Sequence, residues 1–187
     1  TDGVQGIYSA PGKAVKEAYD SSGVVTNDRG ITVWLKGNRV SRNQIMAIKE
    51  ESVTDQKNSL TVCLDNILRH AGITRNTEYD LAQGKTAIQI LEENMTGVQV
   101  LDLSGCSLDA VLYYVNQDIP VLAILEDGEA VLVTGFNEFN VVIMEPSTGK
   151  LYKKGMNDAT TWFAENGNHF ISYMNCLLYT SDAADDM

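Results

Sequence analysis

The stretch Asn58-Ser59-Leu60-Thr61-Val62-Cys63-Leu64-Asp65-Asn66-Ile67-Leu68-Arg69-His70-Ala71-Gly72 decides how the rest of the chain is read. Leu60, Cys63, Leu64, Ile67, Leu68 and Ala71 follow the i, i+3, i+4, i+7 spacing of one apolar helix face. Asn58 or Ser59 can cap the first turn, and Gly72 suits the position just past the last. The spacing therefore predicts a helix with one face on a core. Cys63 lies inside that apolar stripe, which predicts a buried, inert thiol.

Downstream, Thr86 with Gln89 three residues on forms a capping box and predicts a helix to about Asn94. A short strand is expected over Val98 to Leu103. Ser107 then caps a helix over Leu108 to Val115, with Leu108, Val111, Leu112 and Val115 on one face. Three strands follow, Val121 to Glu126, Ala130 to Phe136 and Val141 to Glu145. Asp127-Gly128 turns the first into the second, Asn137 to Asn140 turns the second into the third, and Pro146 to Gly149 ends it. A short helix near Asp158 to Glu165 and a last strand, His169 or Phe170 to Met174, complete the pattern. Helices first and an antiparallel meander afterwards make an α+β fold class, with this unit spanning 55–174.

Upstream, residues 1–48 carry a different and smaller pattern, a helix and a hairpin. Ala14, Val15, Ala18 and Tyr19 have helical spacing, and Asn27-Asp28-Arg29-Gly30 reads as a turn between Gly23-Val24-Val25 and Ile31-Thr32-Val33-Trp34-Leu35. A unit this small buries little alone. Tyr8 and Trp34 could form a ligand platform, but aromatics here are expected in the core. The other end, 175–187, has no apolar period. Its Leu-Leu-Tyr-Thr-Ser-Asp-Ala-Ala-Asp-Asp run resembles a translated sequencing adapter of the kind that ends metagenomic reading frames, so this tail is expected to be disordered, artefactual and without function.

Composition narrows the function classes. Fourteen basic against 25 acidic residues in a 187-residue chain leave a net charge of -11. Nucleic acid is disfavoured because phosphate binding needs a basic footprint, and an anionic membrane surface is disfavoured on the same ground. No apolar run approaches the roughly 20 residues of a membrane span, so no membrane insertion is expected. The chain starts at Thr1, and a targeting region is expected upstream. The compartment is left open, with the bacterial cell surface or secretion as the settings considered.

The chemical motifs are sparse. Gly84-Lys85-Thr86 ends like a phosphate-binding loop, but Tyr79 stands where that loop needs its first glycine, and a helix cap is expected. Cys63, Cys106 and Cys176 make neither a disulfide framework nor a metal site. Cys106 precedes a helix, where a thiol pKa can fall, yet no histidine is close to it in sequence. The two histidines, His70 and His169, are isolated, so no metal and no cofactor are expected. A pairing of Cys63 with His169 is left open by the sequence, with nothing favouring it.

Taken in order, these segments resemble the papain-like cysteine peptidase domains of bacteriocin-processing ABC transporters, the double-glycine peptidases. In that family a Cys-Gly-Pro segment opens a helix ending in an Asn-Tyr-Tyr-Gly-like run, which Ser59 to Gly72 resembles. A His-Ala-Val-Val-Val-Gly-Tyr-like strand follows, matched by Gly128 to Phe136. Then comes a strand ending in Asp-Pro, matched by Val141 to Gly149 with Glu145-Pro146. The resemblance implies a papain-like fold, with N-terminal helices packed on an antiparallel sheet and the small α+β unit in front. It also implies that the nucleophile position falls on Ser59, the histidine position on Glu129 and the orienting aspartate position on Glu145. Each departs from the family, and no glutamine precedes Ser59 at the oxyanion-hole distance, since Gln56 is too close.

Serine without a base stays protonated at neutral pH, and a glutamate replaces imidazole only if its pKa is strongly raised. Two nearby acids could raise one pKa, so a carboxylate dyad at Glu129 and Glu145 is a second possibility. The resemblance implies a degenerate site on a retained fold, which binds a peptide or protein. Two alternatives stand beside it, an active cysteine peptidase using Cys63 or Cys106 and a purely structural domain of a larger surface protein.

Overall fold

The computed structural model of the protein describes residues 4–36 and 44–176. The long helix is present as α2 (Ser59–His70), and its flanks work as the sequence implies. The Asn58 side chain accepts from the Thr61 backbone N–H at 2.9 Å, and Gly72 leaves the helix at a φ of 86° that only glycine adopts without strain. Ahead of it come α1 (Pro11–Ser21), the hairpin β1 (Val24–Thr26) and β2 (Thr32–Leu35), and the two-residue β3 (Gln44–Ile45).

Behind α2 come α3 (Glu78–Ala82), α4 (Ala87–Asn94), β4 (Val98–Asp102), α5 (Leu108–Asn116), β5 (Val121–Ile124), β6 (Ala130–Phe136), β7 (Asn140–Glu145), β8 (Lys150–Gly155), α6 (Met156–Glu165) and β9 (Phe170–Asn175). The predicted caps hold: Thr86 and Gln89 close a capping box on α4, and the Ser107 hydroxyl caps α5. The large sheet is antiparallel throughout, in the order β4-β9-β5-β6-β7-β8, with β3 added alongside the far end of β6. β6 is buried along its whole length. The fold is α+β, as expected.

Three elements were not foreseen. α3 is a single turn and a half, too short to show a period. β3 is set by pairing to β6 rather than by its own residues. β8 is an edge strand, Lys150-Leu151-Tyr152-Lys153-Lys154-Gly155, whose lysines mask the alternation of a half-buried strand. At the C-terminal end the expected boundary at 174 falls inside β9. Asn175 pairs with Val98, and the Cys176 N–H donates to Gly97 O at 2.7 Å with its side chain buried. The remainder of the expected tail, 177–187, lies outside the described residues.

One hydrophobic cluster joins α1, the β1–β2 hairpin, α2, α4, α5 and the sheet. The hairpin and α5 exchange buried hydrogen bonds: Trp34 Nε1–H donates to Ala110 O at 2.9 Å, and the Tyr114 hydroxyl donates to Val33 O at 2.7 Å. Trp34 is thus a core residue, while Tyr8 is exposed. Among the described residues no helix is long and apolar enough to cross a membrane, and no group of three or more His, Cys, Asp or Glu is arranged to hold a metal ion.

Candidate functional site

Ser59 is the first residue of α2, and the helix delivers it to the start of β6. Its hydroxyl oxygen accepts the Ala130 backbone N–H at 2.8 Å, and the residue is buried. Position 59 therefore lies beside position 129, on the neighbouring residue of the same strand entry. Glu129 is half-buried. Its backbone closes the β5–β6 turn, accepting Leu125 N–H and donating to the Asp127 carboxylate.

The sheet register brings Glu145 to the same neighbourhood. Leu132 pairs with Met144, so one further step sets Val131 opposite Glu145 and leaves Glu129 diagonal to it on the same face. Diagonal neighbours are about 7–8 Å apart. Both Glu145 oxygens are engaged: Oε2 accepts the Thr148 hydroxyl at 2.8 Å, and Oε1 accepts the Tyr152 hydroxyl at 3.2 Å. Burial and the neighbouring carboxylate push the Tyr152 phenol up to about 12. Glu145 thus fastens the β7–β8 hairpin.

The thiols are elsewhere. Cys63 follows Ser59 by one turn of α2 and is fully buried. Its thiol is pushed well up, first by burial and then by the charges of Glu51 and Glu129. Cys106 is buried with Sγ 3.3 Å from Gly12 O, and burial raises its thiol to about 11, with Lys16 opposing and Asp102 adding to the shift. The histidines serve neither. His70 Nε2 meets Asp118 O at 2.9 Å at the end of α2, and His169 Nε2 lies 3.9 Å from Glu126 Oε1 at the start of β9.

The chain has the papain-like peptidase fold. It is similar to a crystal structure from Bacillus anthracis provisionally described as a C39-like peptidase, at a TM-score of 0.59 and 16% identity, over 71% of this chain and 98% of that one. No family model and no curated protein matches the chain.

Within the peptidase-like fold, residues 50–54 form a strap between the β7–β8 turn and α2 that the sequence did not reveal. Val53 N–H donates to Pro146 O at 3.1 Å, and Ser52 sits so close to Gly149 that a Cβ there would strike its hydroxyl. Glu51 Oε1 receives Asn66 Nδ2 at 3.3 Å. Such a strap follows neither helical nor strand period, so periodicity was silent on it.

A second unforeseen feature is the buried Asp65. It reads as part of the polar face of α2, yet only 1% of its side chain is exposed. Oδ1 accepts both the Thr77 N–H, at 2.9 Å, and the Thr77 hydroxyl, at 2.8 Å. Oδ2 pairs with Lys57 Nζ at 2.9 Å. The bonds tie the entry to α2, its middle and the entry to α3 together. The Lys57 pKa is raised by its hydrogen bond to Asp65. The only signal in the sequence was an aspartate amid apolar residues, with Lys57 eight residues before it and Thr77 twelve after, at spacings no helical period links.

Proposed function

We propose that this chain is a non-catalytic peptidase-like domain that binds a peptide or another protein as part of a larger protein. The observation that carries the reading is the state of Ser59. Its hydroxyl is buried against β6 and holds a backbone N–H. A nucleophile needs an exposed group beside a base that can draw off its proton, and the neighbouring strand supplies Glu129 where an imidazole would be needed. The positions of Cys63 and Cys106 support the same reading, since a buried thiol raised above its usual pKa is mostly protonated at neutral pH. Peptide recognition is the role the resemblance implies for a fold that has lost this chemistry.

The test has two arms. A fluorogenic peptide library incubated with the purified chain should show no turnover, and a thiol-directed active-site probe should leave it unlabelled. A displayed peptide library selected on the same protein should enrich a consensus. Turnover abolished by Cys63→Ala or Cys106→Ala would establish an active peptidase. No enrichment from any library would leave the domain with a structural role alone.

A further inference from the structure

A cleft of about 360 Å³ opens at the sheet end formed by β4, β9 and β5, next to the β5–β6 turn. That is at the small end of the roughly 300–1,000 Å³ usual for ligand pockets. Register builds it. Asp102 pairs with Ile171, and Ile171 pairs with Leu122, so Asp102, Ile171 and Ile124, two residues beyond Leu122, project from one face. His169 precedes Ile171 by two and joins that face. Ile124, Leu125 and Ile171 give the cleft an apolar floor, and Asp102, Glu126 and His169 stand on its rim with Ser104.

The rim is held in place. Gly105 N–H donates to Asn168 O at 2.9 Å, Leu103 N–H to Phe170 O at 2.8 Å and Ile124 N–H to His169 O at 3.0 Å. The Glu126 N–H donates to the Asn166 side chain at 3.1 Å. Three loops are thereby fixed against one another. Asp102 Oδ1 accepts the Ser104 N–H and hydroxyl at 3.0 and 2.6 Å, and Glu126 Oε1 lies 3.9 Å from His169 Nε2. Among the described residues no lysine or arginine forms an ion pair with either.

We propose that this cleft takes a basic side chain of a bound peptide, its aliphatic stem on Ile124, Leu125 and Ile171 and its cationic head between Asp102 and Glu126. Long cationic side chains are built for such a surface, since the stem covers apolar area while the charge stays at the rim. Charge complementarity selects the occupant: two carboxylates with no lysine or arginine paired to them among the described residues attract a lysine or arginine and repel an acidic residue. The proposal rests on the peptide-binding reading and adds a second contact surface to it: Ile124 pairs with Ala130 and Leu132 with Met144, so the cleft opens on the sheet face opposite Glu145.

The experiment titrates the isotope-labelled chain with Nα-acetyl-lysine N-methylamide and, separately, with Nα-acetyl-norleucine N-methylamide, following backbone amide shifts. The lysine probe is expected to move the amides of Ile124, Leu125 and Ile171, with norleucine at least threefold weaker. Asp102→Asn combined with Glu126→Gln should weaken the lysine probe by roughly three- to tenfold, in keeping with exposed ion pairs, and added salt should weaken it too. Both substitutions are isosteric, and an unchanged spectrum of the free variant shows that it folds. Absence of shifts at the cleft, equal response to both probes, or indifference to the double substitution would each overturn the proposal. Its failure is separable from that of the parent reading: library peptides that bind without a basic consensus would sink the subsite alone, while probe binding without any library consensus would sink peptide recognition alone.

Discussion

The Ala130 backbone N–H donates to the Ser59 hydroxyl across 2.8 Å in a buried setting, so Ser59 is part of the joint between α2 and the central strand. Replacing Ser59 with Ala removes the acceptor and leaves that N–H without a partner. The expected cost is about 1–3 kcal/mol, the desolvation penalty of a buried donor. Urea denaturation of S59A should show a lowered midpoint at unchanged slope. A midpoint equal to the parent would mean that the bond contributes nothing.

Cys63 and Cys106 should resist alkylation in the folded chain and react once denaturant is added, because both are buried and their thiols are raised. The measurement is the time course of a chromogenic thiol reagent, with C63A and C106A assigning the signal. Rapid labelling of Cys63 in the native state would contradict its burial and restore a thiol mechanism.

Asp65 holds two helices at once, so Asp65→Ala should be among the most damaging single substitutions. It leaves the Thr77 N–H and hydroxyl unpaired and removes the partner of Lys57. A loss of about 2–4 kcal/mol is expected, below the largest values for buried pairs because Lys57 is partly exposed. Thr77→Val, which deletes one of the three bonds, should cost clearly less. Equal effects would show that neither the pair with Lys57 nor the Thr77 N–H bond carries weight.

Stability should fall as pH rises above about 9. Cys106 is raised from 9.0 to about 11 and Tyr152 from 10.0 to about 12. In each case the unfolded chain ionises first, so the folded state binds more protons and stability decreases as pH rises. The contribution is complete below the unfolded pKa and lost between the unfolded and folded values. Lys57, also raised, acts with the same sign at still higher pH. Denaturant midpoints measured from pH 7 to 11 should fall less steeply for C106A between pH 9 and 11.

A chain ending at Met174 should melt lower than one ending at Cys176. The shorter form loses the pairing of Asn175 with Val98 and the Cys176 bond to Gly97. A difference of about 1–2 kcal/mol corresponds to several degrees in a domain of this size. Calorimetry of the two forms decides it, and identical transitions would show that β9 effectively ends at 174.

Legibility followed the range of the forces involved. α2, α4 and α5 are capped and periodic over consecutive residues, so Asn58, Thr86 and Ser107 announce them locally. β6 and β7 are continuous apolar runs bounded by Asp127-Gly128 and Pro146 to Gly149. What stayed hidden is set by distant partners. Asp65 and Thr77 meet because α3 folds back, and the 50–54 strap is fixed by Pro146 and Gly149. Asp102, Glu126 and His169 meet only through the register of three strands. Position 59 beside position 129 could be anticipated through the family resemblance, but no pattern in the sequence indicated that the Ser59 hydroxyl would be spent on the backbone of β6.

The lysines of β8 govern how copies of this molecule meet. A strand at the rim of a sheet offers free backbone groups to any extended neighbour. Here half of that strand is Lys150, Lys153 and Lys154. Two copies laid antiparallel along this rim would set ammonium against ammonium, at spacings where like charges repel. Fibre growth by edge-to-edge addition is thus blocked at this end by charge, on a molecule whose overall sign is the opposite.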